Sequence, residues 1–160
     1  MTNAAEIVPA AERELVITRL IDAPRDKVFR AWTEPTLLER WFCPRPWRAE
    51  FTALDLRPGG VNRVVMHGPD GEEMAHTGVY LEIVENEKLV FTDAFTEGWV
   101  PSEKPFMTAV ITLADEGGKT RYTARALHWS AEDRETHEKM GFHEGWAKCA
   151  EQLEQVARDL

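Results

Sequence analysis

The stretch TRLIDAPRDKVFRAWTEPTLLERWF, Thr18–Phe42, followed by DLRPGG at Asp55–Gly60, decides the fold. Leu15, Ile17 and Ile21 recur at even spacing, as in a strand buried on one face, and Asp22-Ala-Pro24 stops it. Pro24 can open a helix at its first position, where a missing amide hydrogen costs nothing. Val28, Phe29 and Trp32 then fall three or four apart on one helical face. Pro35 restarts the chain in the same way. Leu37, Leu38, Trp41 and Phe42 form the apolar side of a second helix, ended by Pro44. The order is strand, two short helices, then a long strand closed by the turn Pro58-Gly-Gly60.

Downstream, antiparallel strands are predicted at Trp47 to Leu56, Val61 to His67, Glu73 to Val84, Lys88 to Phe95, Phe106 to Ala114 and Thr120 to His128. The segments between them, Gly68-Pro-Asp-Gly71, Glu85-Asn-Glu87 and Glu116-Gly-Gly118, are turn sequences, and Glu97 to Lys104 is a rim loop. Ser130 is a plausible N-cap with Asp133 three residues on, and Glu132, Asp133 and Glu135 suit the positive end of a helix. Phe142, Trp146, Cys149, Leu153, Val156 and Leu160 then make one apolar stripe, which predicts a single long C-terminal helix from Ser130 onward. Gly141 and Gly145 flank that stripe at roughly 1 kcal/mol each against Ala, which points to close approach to the sheet or to space beside the helix. The fold class is therefore α+β. A curved antiparallel sheet of about seven strands wraps around the long helix, and two short helices follow the first strand. Residues 1–12 read as a flexible tail and 13–160 as one domain.

RxIDAPxxxVFxAWTxPxxLxxW, DLRPGG, PDGEEMAHTGVYLEI, KLVFT and GxxxGW occur in an order that resembles the activators of heat-shock chaperone ATPase and their homologues. That group is part of the START-like (SRPBCC), birch-pollen-allergen-like superfamily, also called polyketide cyclase/dehydrase. The resemblance covers Glu14 to Leu160. It implies a helix-grip fold around an internal cavity, in a superfamily whose members bind lipids, carry hydrophobic ligands, catalyse cyclisation or dock on other proteins. Asn62 departs from the family, where the position after the glycine pair is often aromatic.

Composition narrows the function. With 28 acidic against 19 basic side chains and a formal charge of −9, and with Arg and Lys scattered singly, nucleic acid is not an expected partner. No apolar run approaches a membrane span and the first twelve residues carry no signal-peptide pattern, so the cytoplasm is expected. Cys43 and Cys149 read as reduced thiols. There is no P-loop, no GxGxxG after a strand, no GxSxG elbow, no HExxH and no paired-cysteine motif, so neither a metal nor another cofactor is expected. His137 and His143 read as surface residues on the last helix.

Period-two alternation assigns the inward face. Met107, Ala109, Ile111 and Leu113 share it with Tyr122, Ala124, Ala126 and His128, and Asn62, Val64 and Met66 share it with His76, Gly78 and Tyr80. A mostly apolar wall with a few convergent polar groups suits a small hydrophobic or amphipathic molecule. The expected wall is Asn62, Met66, His76, Tyr80, Phe91, Met107, His128, Phe142 and Trp146. An alternative is a cofactor-free cyclase or dehydratase in which His76, His128, Tyr80 or Asp93 moves protons. A chaperone-binding surface is a further alternative, implied by the resemblance alone. Trp32, Trp41 and Trp146 are expected to close the core, while Trp47, Trp99 and Trp129 suit a rim. Exposed strand edges and rim aromatics are compatible with a homodimer.

Overall fold

The computed structural model describes residues 10–160. The elements run α1 (Ala10–Arg13), β1 (Glu14–Ile21), α2 (Arg25–Thr33), α3 (Pro35–Leu38), β2 (Arg48–Leu54), β3 (Val61–His67) and β4 (Glu73–Val84). They continue with β5 (Lys88–Thr92), β6 (Phe95–Thr96), β7 (Val100–Pro101), β8 (Met107–Glu116), β9 (Lys119–His128), α4 (Ala131–Lys139) and α5 (Phe142–Arg158). Residues 10–12 of the expected tail belong to the helical turn α1, and residues 1–9 lie outside the described residues.

Seven strands form one antiparallel sheet in the order β1-β9-β8-β5-β4-β3-β2. Its register bears out the alternation. Met107 pairs with His128, Ala109 with Ala126, Ile111 with Ala124 and Leu113 with Tyr122. Leu15, Ala126, Ala109, Phe91 and Tyr80 form one row across five strands. Ala109, Ala124 and Ala126 are fully buried, and their small side chains leave room for the apolar stripe of α5. Leu153 and Val156 of that stripe, with Ala157 beside them, join Val28, Trp32, Ile111, Leu113 and Tyr122 in the main core.

The DLRPGG turn is stitched into β4. Gly59 N donates to Tyr80 O at 2.7 Å, and Tyr80 N donates to Gly60 O at 3.0 Å. A Cβ on Gly60 would stand 2.0 Å from Asp55 O, so only glycine fits there.

Two expected helices differ. The single C-terminal helix is broken at Gly141, which takes the left-handed conformation, φ +95°, between α4 and α5. The sequence of α4, AEDRETHEK, is polar all round, and the apolar stripe belongs to α5 alone. A Cβ on Gly145 would meet nothing, so that glycine marks open space rather than close approach. The second short helix ends at Leu38. Trp41 and Phe42 sit in the following turns, where Trp41 Nε1 donates to Ala31 O at 2.9 Å. The Glu97 to Lys104 loop also holds structure, because β6 and β7 make a small hairpin across it.

Candidate functional site

Of the predicted wall, Met107, Phe142 and Trp146 pack in one apolar cluster, Phe91 lies against the main core, and Met66 lies beside Val64 in a third cluster. Asn62 lies opposite Gly78, where a Cβ would stand 2.4 Å from Thr92 O, so β4 and β5 approach closely there without a side chain between them. Asn62 Nδ2 donates to the Tyr80 hydroxyl at 2.9 Å. Burial pushes the Tyr80 phenol up to about 12 and Asn62 only partly offsets this, so it stays a neutral donor and acceptor. Phe91 packs edge-on against Tyr80 and tilted against Trp32, with ring centres 6.3 and 5.7 Å away. Tyr80, His128 and Phe142 are buried, whereas Asn62, Met66, Phe91, Met107 and Trp146 are half-buried.

His76 lies opposite Val64, on the predicted face, but it is exposed near the sheet end. Asp93 is not available for proton transfer as supposed. Its carboxylate accepts from Phe106 N at 2.9 and 3.0 Å and from Met107 N at 3.1 Å, clasping the end of β5 to the start of β8.

His128 is fully buried at the end of β9. Its Nδ1 lies 2.8 Å from Arg13 O, and a carbonyl only accepts, so Nδ1 carries a proton. Its Nε2 lies 2.8 Å from His137 Nδ1. His137 is thus not a surface residue: only 9% exposed, it packs edge-on against Phe106 and Phe142 at 4.8 and 5.1 Å. Burial, and then the neighbouring His128, push its pKa from 6.5 down to about 4. Nothing in its sequence neighbourhood signals this, because α4 has no apolar stripe. His143 is exposed, as expected, and pairs with Glu138 at 3.1 Å.

A second missed residue was legible in principle. Gln152 interrupts the α5 stripe three residues after Cys149 and is 4% exposed. Its Nε2 donates to Trp41 O at 3.0 Å and Cys43 O at 2.7 Å, and its Oε1 accepts from Arg45 N at 3.1 Å. It staples the segment after α3 to α5. Cys43 and Cys149 are free, with thiols pushed by burial up to about 11 and about 12, which keeps them un-ionised.

Of the tryptophans, Trp32 and Trp41 are buried, and Trp99 and Trp129 are about half exposed. Trp47 packs beside Cys43, Ala49 and Val64. Among the described residues, no group of three or more His, Cys, Asp or Glu side chains could hold a metal ion. Two polar surface clefts, around Arg25 and Asp115 and around Arg45 and Lys148, share no residue with the wall.

A family model described as "Activator of Hsp90 ATPase homolog 1-like protein" matches residues 22–158. A crystal structure of a protein from Nitrosomonas europaea is 40% identical with a TM-score of 0.89, covering 93% of this chain and 96% of that one. A Mycobacterium smegmatis crystal structure is 29% identical with a TM-score of 0.78, covering 92% of each chain. A solution structure from Arthrobacter aurescens is 26% identical with a TM-score of 0.82, covering 99% of this chain and 94% of that one. No curated protein matches the chain.

Proposed function

Because the chain belongs to the Activator of Hsp90 ATPase homolog 1-like family, we propose that it holds a small hydrophobic or amphipathic molecule between the sheet and α5, in the cytoplasm and without a cofactor. The contrast along the inward face carries this reading. Ala109, Ile111 and Ala124 are sealed, yet Met66, Phe91, Met107 and Trp146 on the same interior keep contact with solvent. Apolar area left wet forgoes about 25 cal/mol per Å², which a ligand lying there would recover. Having accepted from Asn62, the Tyr80 hydroxyl still has its own proton to give, which suits a carbonyl or hydroxyl oxygen on that ligand.

The acid–base alternative is weaker, since Asp93 is engaged by backbone amides and both ring nitrogens of His128 are occupied. A chaperone-contact reading draws on the family description and on Trp99 and Val100, which stand 52% and 56% exposed on the β6–β7 hairpin. Co-purification with the chaperone that is lost in W99A would favour it.

Native mass spectrometry against the denatured mass tests the cavity. The expected result is a small apolar species retained by the wild type and lost from folded Met66→Trp and Ala109→Leu proteins. Equal retention by both variants would overturn the assignment.

A further inference from the structure

The helix α4 is unusual in how it is attached. It contacts α1, β1, β9 and α5, but His137 is its only buried side chain. Its two ends suit movement. Ser130 Oγ accepts from Asp133 N at 3.1 Å, so the helix carries its own cap, and Gly141 lies in the left-handed region with open space around it. Beneath α4 sit His128, Phe106, Phe142 and Trp146, at the end of the interior described above.

We propose that α4 is a hinged cover over this end of the sheet–α5 interior, latched by the His128–His137 hydrogen bond and released by acid. In the docked neutral state His128 Nδ1–H donates to Arg13 O and His137 Nδ1–H donates to His128 Nε2. One added proton preserves that bond but buries an imidazolium among three aromatic rings, and a second sets two N–H groups against each other. Neither restriction applies once α4 lifts, so the released state binds more protons.

The sign follows. His137 has its docked value lowered from 6.5 to about 4, so docking is fully favoured above 6.5 and weakens as pH falls through that window. One excess proton raises the released fraction up to about tenfold per pH unit, or roughly twentyfold from pH 7 to pH 5.

The other charged groups around the latch do not supply this response. From α1, the Arg13 guanidinium donates to His128 O at 3.0 Å. On α4, Arg134 pairs with Glu138. On α5, the exposed His143 faces Glu138, and protonating it would tighten α4 onto α5, opposing release by the small amount of a surface pair.

Amide hydrogen exchange on the full chain with no ligand added tests the latch, independently of whether the interior binds anything. After correction for intrinsic rates, opening of residues 131–139 should rise roughly twentyfold between pH 7 and pH 5 while β9 amides keep their protection. In His137→Gln the rise should vanish, because an amide can donate to His128 Nε2 or, flipped, accept from it. Wild-type opening that does not change, a rise of equal size in H137Q, or loss of β9 protection together with α4 would each overturn the proposal. Imidazole NMR of the wild type provides a second reading. His137 should titrate together with the α4 amides, and a His137 midpoint at the ordinary 6.5 with α4 still protected would equally overturn it.

Discussion

Asn62 and Tyr80 meet across β3 and β4, the amide nitrogen 2.9 Å from the phenol oxygen, on a face otherwise built from Val64, Met66 and Phe91. Gly78 is the strand partner of Asn62 and Tyr80 follows two residues on, so the amide reaches the phenol diagonally across the two strands. It sets the orientation of the one neutral hydroxyl that the interior offers from β4.

Tyr80→Phe keeps the ring packing and removes that hydroxyl. Stability should fall by about 1 kcal/mol, the net worth of one hydrogen bond, as read by urea denaturation. Retention of the native ligand, by native mass spectrometry, should drop about tenfold, equivalent to about 1.4 kcal/mol. Full retention would remove Tyr80 from the wall.

Gln152→Leu is close in size but withdraws partners from three backbone groups at Trp41, Cys43 and Arg45. The expected loss is about 2–4 kcal/mol, from buried groups left unpaired. Denaturant unfolding checks it, and a neutral result would mean that water replaces the side chain.

Glu154 links α5 to β1, accepting from Arg19 at 2.8 Å and from Asp22 N at 2.7 Å. Burial alone would raise its pKa, but these hydrogen bonds and the charges of Arg19 and Arg158 outweigh it and hold the carboxyl below 4.5. Its contribution is therefore present above 4.5 and is lost as pH falls through the lowered folded value. Glu154→Gln should flatten that part of the stability profile below pH 4.5, and His137→Gln the contribution that His137 makes as pH falls below 6.5. Thermal melts at a series of pH values separate the two.

Two glycines should respond oppositely to Ala. Gly60→Ala drives a methyl into Asp55 O and should cost several kcal/mol or prevent folding, whereas Gly145→Ala enters open space in the first turn of α5. The second should gain about 1 kcal/mol of stability, since Ala is the better helix former. Melting temperatures of the two proteins give both signs.

Local pattern carried the strands, the inward face and the apolar stripe of α5, because side-chain direction in a strand or helix repeats with a period that a sequence displays directly. Met107, Ala109, Ile111 and Leu113 could be set against Tyr122, Ala124, Ala126 and His128 before any distance was known. The same logic found Asn62 and Tyr80 on one side of the sheet, and it placed His76 on the correct face without its exposure.

The tertiary structure decided what depends on contacts between distant segments. Gly141 could sit inside a helix or break one, and the break followed because α4 has no apolar side with which to continue the packing of α5. His137 lies in a run of charged residues that reads as solvated, and only the approach of β9 gives its ring a hydrogen-bonding partner and an aromatic enclosure. Asp93 reads as a candidate acid until the chain doubles back and Phe106 and Met107 bring their amides to it. Periodicity determined which way each side chain points. What it meets there was decided by segments as far as 111 residues away for Gln152 and Trp41 and 135 for Arg19 and Glu154.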